Sequence, residues 1–186
     1  MYKEIKLKNG ENLILRKAEV NDAEKMIEYL NIVGGESDNL LFGENEFHLS
    51  IDQEKSYLEN MANQETSMML VGIINKKIVS IAQISTSNRK RISHNAEIAI
   101  SVKKEYWGFS IGSEVMKTLI DFAKNTKKIK NISLGVKANN TKARNLYRKF
   151  GFKEVGFHKN FFYVNDEYDD EILMDLYIYN NERVKE

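Results

Sequence analysis

Residues Ala96 to Ala123 read as a strand that passes through a glycine-bearing turn straight into a helix. Ala96-Glu97-Ile98-Ala99-Ile100-Ser101-Val102 alternates in the manner of a half-buried strand. After Gly108, the residues Ile111, Val115, Leu119, Phe122 and Ala123, with Met116 and Ile120 beside them, recur at the spacing of one helix face. Such a junction can bind an anion: the first N–H groups of the helix lack internal partners and stand at the positive end of its dipole. The two common nucleotide loops do not account for it. The phosphate-loop pattern needs a Lys after its second glycine, but Gly112 is followed by Ser113 and Gly108 is only four residues earlier, and no Gly-x-Gly occurs anywhere in the chain.

The flanking sequence predicts one mixed sheet covered by helices. Ile5 and Leu7, then Leu13 and Leu15, predict an opening pair of strands around Asn9-Gly10. Asn21 or Asp22 is placed to cap a helix through about Asn31, with Ala23, Met26, Ile27 and Leu30 as its stripe and Gly34-Gly35 ending it. After an irregular acidic segment, Ser50 and Gln53 have capping-box spacing at the start of a helix over Ile51–Ala62, its inner side being Ile51, Leu58 and Met61. Met68–Ile74 and Ile78–Ile84 read as a hairpin about Asn75-Lys76-Lys77. Downstream come a strand at Ile132, Leu134 and Val136, and a short helix from Asn140 or Thr141 with Ala143, Leu146, Tyr147 and Phe150 on one side and Gly151 at its end. Strands around Phe152–Tyr163 and Glu171–Ile178 close the chain, followed by a charged tail, Asn181 to Glu186. The run Asp166 to Glu171 lacks the glycine and spacing of a calcium loop, and reads as a surface loop suited to attracting a cation.

Composition removes several function classes. Net charge is +1 from 28 basic and 27 acidic residues, so no global field argues for nucleic acid or a membrane surface. The basic run Arg89-Lys90-Arg91 is short, lacks interleaved aromatics and reads as a hairpin tip. There is no cysteine, which excludes disulfides, thiolate metal sites and a cysteine nucleophile. His48, His94 and His158 show no ligand spacing, so no metal is expected. The first residues have no apolar core of signal-peptide length, and a cytoplasmic location is the expectation.

Two motifs carry a family resemblance. Trp107-Gly108-Phe109-Ser110-Ile111-Gly112, flanked by Glu105-Tyr106 and Ser113, resembles the pyrophosphate loop Gln/Arg-x-x-Gly-x-Gly/Ala of the acetyl-CoA-dependent N-acetyltransferases known as GNAT. Asn140-Thr141-Lys142-Ala143-Arg144-Asn145-Leu146-Tyr147, followed by Phe150-Gly151-Phe152, is similar to a second motif of that superfamily. With the order of strands, the resemblance runs from about Asn12 to Ile178. It implies a single α/β domain over residues 1–186, a GNAT-like fold whose central sheet is mixed and mostly antiparallel with helices on both faces. Trp107 replaces the polar first position of the loop. Ser110 stands where the family has glycine, either taking a positive φ at a steric cost or offering its hydroxyl to a phosphate.

By the same resemblance, acetyl-CoA lies in a splay between the strands at Ala96–Val102 and Ile132–Val136. Ile100, Ser101 and Val102 then pair with its pantetheine, as an added strand would. Trp107, Gly108, Phe109, Ser110, Ile111, Gly112 and Ser113 hold its diphosphate, and a backbone N–H near Ile100 serves as oxyanion donor. Glu97 shares its strand face with the small Ala99 and Ser101, and is either an exposed strand glutamate or, directly or through water, the base that deprotonates an amine. Tyr147 is either a core aromatic or the acid that protonates the leaving thiolate; its ordinary pKa of about 10 lies above a thiol's ~8.5. Asn140 caps its helix, contacts the cofactor, or does both, and Arg144 either reaches the phosphates or sits on a solvated face. The expected activity is acetyl transfer to a primary amine of a protein N-terminus, a polyamine or another small molecule. Its alternative is an acyl-CoA-binding module without transfer. Neither nucleic acid nor membrane is an expected partner, and a homodimer is one possible assembly. Tyr168-x-Asp170-x-x-x-Met174 resembles the subgroup that acetylates ribosomal-protein N-termini and related amines such as polyamines.

Overall fold

A computed structural model of the protein describes residues 1–178, so the charged tail anticipated at Asn181–Glu186 lies outside the described residues. Five strands run antiparallel in chain order: β1 (Tyr2–Lys6), β2 (Asn12–Lys17), β3 (Met68–Ile74), β4 (Lys77–Thr86) and β5 (Asn95–Val102). The β3–β4 hairpin closes on Asn75 and Lys76, both left-handed at φ 48° and 66°, which matches the right-handed twist of the paired strands. The next strand, β6 (Asn131–Lys137), lies parallel to β5. A parallel neighbour needs a crossover, and helix α3 (Ile111–Thr126) provides it. After α4 (Thr141–Lys149) the chain forms a terminal hairpin, β7 (Lys153–Val164) and β8 (Glu167–Tyr177), with β8 against β6, giving the order β1-β2-β3-β4-β5-β6-β8-β7.

Side chains of each strand alternate between two apolar layers. On one face Leu13, Leu15, Leu70, Ile84, Ile98, Ile132 and Met174 meet Val115, Met116 and Leu119 of α3, with α4 packed beside them. On the other face Met69, Val71 and Ile81 meet α1 (Ala23–Glu36) and α2 (Ile51–Ala62) through Met26, Tyr29, Leu58 and Met61. Each of these fully buried aliphatic side chains contributes roughly 1.5–3 kcal/mol. The alternation Met68/Met69/Leu70/Val71 therefore holds both layers to one strand.

Four sequence expectations need correction. The first helix does not stop at Gly34-Gly35 but runs through both to Glu36. A Cβ on Gly34 would lie 2.6 Å from the carbonyl carbon of Gly43, so this glycine permits a close backbone approach and does not end the helix. Asp22 does not cap that helix; its carboxylate takes the two Nη groups of Arg16 at 2.6 and 2.7 Å and the N–H of Glu19 at 2.8 Å. On α2 the capping box of Ser50 and Gln53 is present, but Ile51 is exposed and Glu54 takes the buried position beside Leu58. Likewise Asp166–Glu171 is no loop: Asn165 and Asp166, left-handed at φ 54° and 62°, make the tight turn, and Glu167 onward pairs in β8.

The feature that positions the site is the short partnership of β5 and β6. Their register holds only over Asn95–Asn131, Ala96–Ile132 and Glu97–Ser133, after which the strands part.

Candidate active site

Backbone polarity along β5 follows from its bonds to β4. The Lys103 N–H donates to the Val79 carbonyl at 2.9 Å, and the Ser101 carbonyl accepts from Ser80 Oγ at 2.8 Å. Groups of the odd-numbered residues thus turn toward β4, and those of Ile98, Ile100 and Val102 turn toward the gap before β6. Consistent with this, the carbonyl of His94, another even-numbered residue, accepts from Lys130 and Asn131 at the start of β6. Of the expected pantetheine partners, Ile100 and Val102 therefore face the gap and Ser101 does not. The Ser101 hydroxyl is also engaged, accepting from Tyr29 Oη at 3.1 Å and donating to the Ile81 carbonyl at 3.3 Å. The Val102 carbonyl accepts from Trp107 Nε1 at 2.8 Å, which gives the indole at the first loop position a structural task.

The turn from β5 into α3 has the form that an anion requires. Gly108 sits at φ 88° and Ser110 at φ 69°, ψ 9°, so Ser110 adopts the left-handed backbone that glycine would take more readily. Its hydroxyl makes no capping bond, and its carbonyl accepts from the Glu114 N–H. The N–H groups of Ile111, Gly112 and Ser113 are those that a helix leaves without intrahelical partners. Gly112 matters for packing too: a Cβ there would stand 3.3 Å from Leu146 Cδ2, so its absence lets α4 close against the first turn of α3.

That packing brings the downstream motif alongside. Asn140 Oδ1 accepts from the Ala143 N–H at 3.2 Å, an N-cap that leaves the side-chain NH2 for another partner. Tyr147 is half-buried, its ring tilted against Phe152 at 6.0 Å, and it packs on the same apolar layer as Ile100 and Val102. Burial pushes the Tyr147 phenol up to about 12, so it holds its proton across the neutral range. Arg144 has partners within the fold. Its Nη1 donates to the Ala138 carbonyl at 2.7 Å and its Nε and Nη2 to Glu154 Oε1 at 3.2 and 2.8 Å, tying the loop before α4 to β7. Arg144, joined by Arg148, holds the Glu154 carboxyl below its ordinary range.

Glu97 lies on the opposite face of the sheet, exposed, its carboxylate without a hydrogen bond or ion pair among the described residues. Ala99 is its neighbour on that face, and across from Ala99 the Gln83 side chain accepts from Tyr57 Oη at 2.8 Å. Sequence reasoning missed a cleft of about 400 Å³ at the mouth of the gap. The end of α1 supplies Glu36 and Asp38, the end of β5 supplies Lys104 and Trp107, and the end of β6 supplies Lys137 and Asn139. Asn131, Ser133, Gly135 and Lys137 alternate with buried apolar residues and read as a solvated strand face, so no sequence signal singles out Lys137. Among the described residues no group of three or more His, Asp or Glu side chains is placed to hold a metal, and no helix is long and apolar enough to cross a membrane.

A parted parallel strand pair beside a helix N-terminus whose turn carries two left-handed residues offers an extended, anionic ligand both strand-like pairing and an anion site. The chain belongs to the acetyltransferase (GNAT) family, whose sequence profile matches residues 38–152. Among curated proteins it is 29% identical over 116 residues to the L-amino acid N-acetyltransferase AaaT of Escherichia coli, covering 62% of this chain and 72% of that protein. It is 35% identical over 75 residues to a putative [ribosomal protein bS18]-alanine N-acetyltransferase of Bacillus subtilis, covering 40% of this chain and 48% of that one. Among solved structures, an acetyltransferase of the GNAT family from Streptococcus pneumoniae superposes with a TM-score of 0.86 at 28% identity, over 89% of this chain and 99% of the other. A putative acetyltransferase from Salmonella typhimurium, its structure solved with its cofactor acetyl-CoA, shares the fold at a TM-score of 0.76 and 16% identity, over 89% of this chain and 93% of that one. The expected architecture, a mostly antiparallel mixed sheet with helices on both faces, is the one observed.

Proposed function

We propose that the chain acetylates a primary amine by direct attack, with Glu97 as base and Tyr147 as acid. The observation that carries this reading is the gap between β5 and β6, into which Ile98, Ile100 and Val102 turn their backbone groups beside the α3 N-terminus. Acetyl-CoA supplies the thioester carbonyl. Ile100 and Val102 offer strand-like pairing to its pantetheine. The turn from Gly108 to Ser113 offers its N–H groups to the diphosphate. Asn140, capping the helix that packs on this turn through Leu146, keeps its side-chain NH2 for a cofactor contact. We keep Arg144 out of the cofactor contacts, because its guanidinium is committed to Glu154 and Ala138.

An amine in its ammonium form has no lone pair, and lysine-like amines have pKa near ~10.4. Glu97, exposed and unpaired, takes that proton directly or through water. The Ile100 N–H faces the place where charge develops on the carbonyl oxygen. Tyr147, which holds its proton at neutral pH, gives it to the departing thiolate; with the phenol at about 12 and a thiol near ~8.5 that transfer runs uphill, and the phenolate it leaves regains a proton from water. The curated relatives named for L-amino acids, for the alanine of a ribosomal protein and for spermidine all take amines as acceptors, which supports the same class here. The test is release of CoA thiol with a panel of such amines, for wild type and Tyr147→Phe. Thiol release that the variant loses supports the reading; no release with any amine, despite acetyl-CoA binding, overturns it.

A further inference from the structure

Lys137 is a lysine that the fold buries without pairing. It is 7% exposed and lines the cleft at the mouth of the gap, and its ammonium has no hydrogen bond or ion pair among the described residues. Its cross-strand neighbour Glu171 stands in register with it, yet the Glu171 carboxylate bends over Gly135 to His158 Nδ1 at 2.8 Å. The Lys137 ammonium stands over the face of Phe162, 5.9 Å from the ring centroid. A buried ammonium left this way is costly unless an anion meets it.

Its level in the sheet says where that anion would lie. Glu97 pairs with Ser133, and counting four residues along each parallel strand sets Lys137 across the gap from Ser101, next to Ile100. By that count Lys137 stands at the level of Ile100, whose N–H is proposed above to meet the reacting carbonyl. The cleft is charged in both senses. Glu36 and Asp38 stand on the α1 side, with Lys104 on the rim and Lys137 buried. Glu36 and Asp38 suit an arriving ammonium, and Lys137 suits a carboxylate on the same molecule.

Resting on the transferase reading above, we infer that the acceptor carries a carboxylate beside its amine, as an α-amino acid does, and that Lys137 receives it. A polyamine offers no such group. A residue kept only for its aliphatic stem and its contact with Phe162 would not distinguish a carboxylate from a carboxamide.

The test is steady-state kinetics with L-leucine, L-leucinamide and spermidine, for wild type, Lys137→Met and Lys137→Arg. Leucinamide has the less basic amine, so intrinsic chemistry favours it. The wild type is nevertheless expected to prefer leucine about tenfold or more in kcat/KM, the size of one charge-assisted contact. Lys137→Met should bring the ratio close to one, with the loss falling on the KM for leucine, and Lys137→Arg should restore part of it. Three results would overturn the inference: a wild type that acetylates leucinamide or spermidine as well as leucine, a ratio unchanged in Lys137→Met, or a loss that falls on the KM for acetyl-CoA. Should no amine release CoA from the wild type while acetyl-CoA still binds, the transferase reading fails first and takes this inference with it.

Discussion

Ser110 offers a quantitative test of the diphosphate turn. Its backbone is left-handed, at φ 69° and ψ 9°, and its hydroxyl has no hydrogen bond among the described residues. A left-handed conformation costs an L-residue roughly 1–2 kcal/mol. Ser110→Gly removes that cost but gives the unfolded chain about 0.5–1 kcal/mol of additional freedom. The variant should therefore be more stable by about 0.5–1 kcal/mol, or about 1–4 °C in Tm for a chain of this size. Ser110→Ala keeps the strained backbone and removes only an unpaired hydroxyl, so its stability should stay within about 0.5 kcal/mol of wild type. If the N–H groups alone hold the diphosphate, both variants should bind acetyl-CoA within about twofold of wild type. A hydroxyl donating to phosphate would be a charge-assisted bond worth about 1.5–3 kcal/mol, or roughly 10- to 100-fold in Kd. Scanning calorimetry and titration calorimetry read the two effects separately. A tenfold weaker Kd in Ser110→Ala would refute the backbone account, and a Ser110→Gly protein less stable than wild type would refute the strain argument.

Tyr147→Phe should lower kcat by about 10²–10⁴ while acetyl-CoA affinity is kept, measured by thiol release and titration. Because burial raises the phenol to about 12, no fall in wild-type kcat between about pH 8 and 10 should be traceable to Tyr147, and a limb in that window which vanishes in the variant would contradict the assignment. Gly135→Ala should destabilise by about 1–3 kcal/mol in urea denaturation, since its Cβ would run into the carboxylate of Glu171, which His158 tethers. At Asp22, burial by itself raises the carboxyl, but the Arg16 pair and the Glu19 N–H outweigh it and hold the group below its ordinary value. The resulting stability is present above the ordinary carboxylate pKa of about 3.9 and is lost as pH falls through the lower folded value. Asp22→Asn should thus be clearly less stable than wild type at pH 7, with the difference shrinking near pH 2; an equal difference at both would show that Asp22 acts through packing alone.

Most of the scaffold was readable from the sequence because period and punctuation agreed. Ser50/Gln53 set the start of α2, Asn75-Lys76-Lys77 the hairpin of β3 and β4, and the stripe of Ile111, Val115 and Leu119 the buried side of α3. What failed, failed for tertiary reasons. Gly34 resembles a helix terminator, yet it is glycine because Gly43 crosses it. Asp166–Glu171 reads as a loop on charge alone, although Asp170 Oδ1 accepts from the Asn160 N–H and Glu171 meets His158, which gives those acids places in a hairpin. At the site, the turn residues and α4 were legible through their motifs. The parity that turns Ser101 away from the gap, the commitment of Arg144 to Glu154, and the isolation of Lys137 depend on partners distant in sequence. No local pattern records them.

The parted strands also explain how one ligand can meet groups from both sides of the sheet. Tyr147 and the α3 turn belong to the layer that packs on Ile98 and Ile132, whereas Glu97, Lys137 and the cleft belong to the opposite face. In a continuous sheet the paired backbones of neighbouring strands would separate those two sets. Between β5 and β6 the pairing stops at Glu97–Ser133, and beyond that point the backbone groups of Ile98, Ile100 and Val102 are turned toward an opening. A cofactor that approaches from the α3 side can then present its carbonyl through the opening, while an amine approaches from the side of Glu97. On this account the depth of the gap matters as much as the chemistry of any one side chain. Trp107, which ties the turn to the end of β5 through Nε1 and the Val102 carbonyl, holds one edge of that gap in place. Arg144, which ties Ala138 to Glu154, holds the other. Neither needs to touch a reacting atom for its loss to misplace the two residues proposed as acid and base.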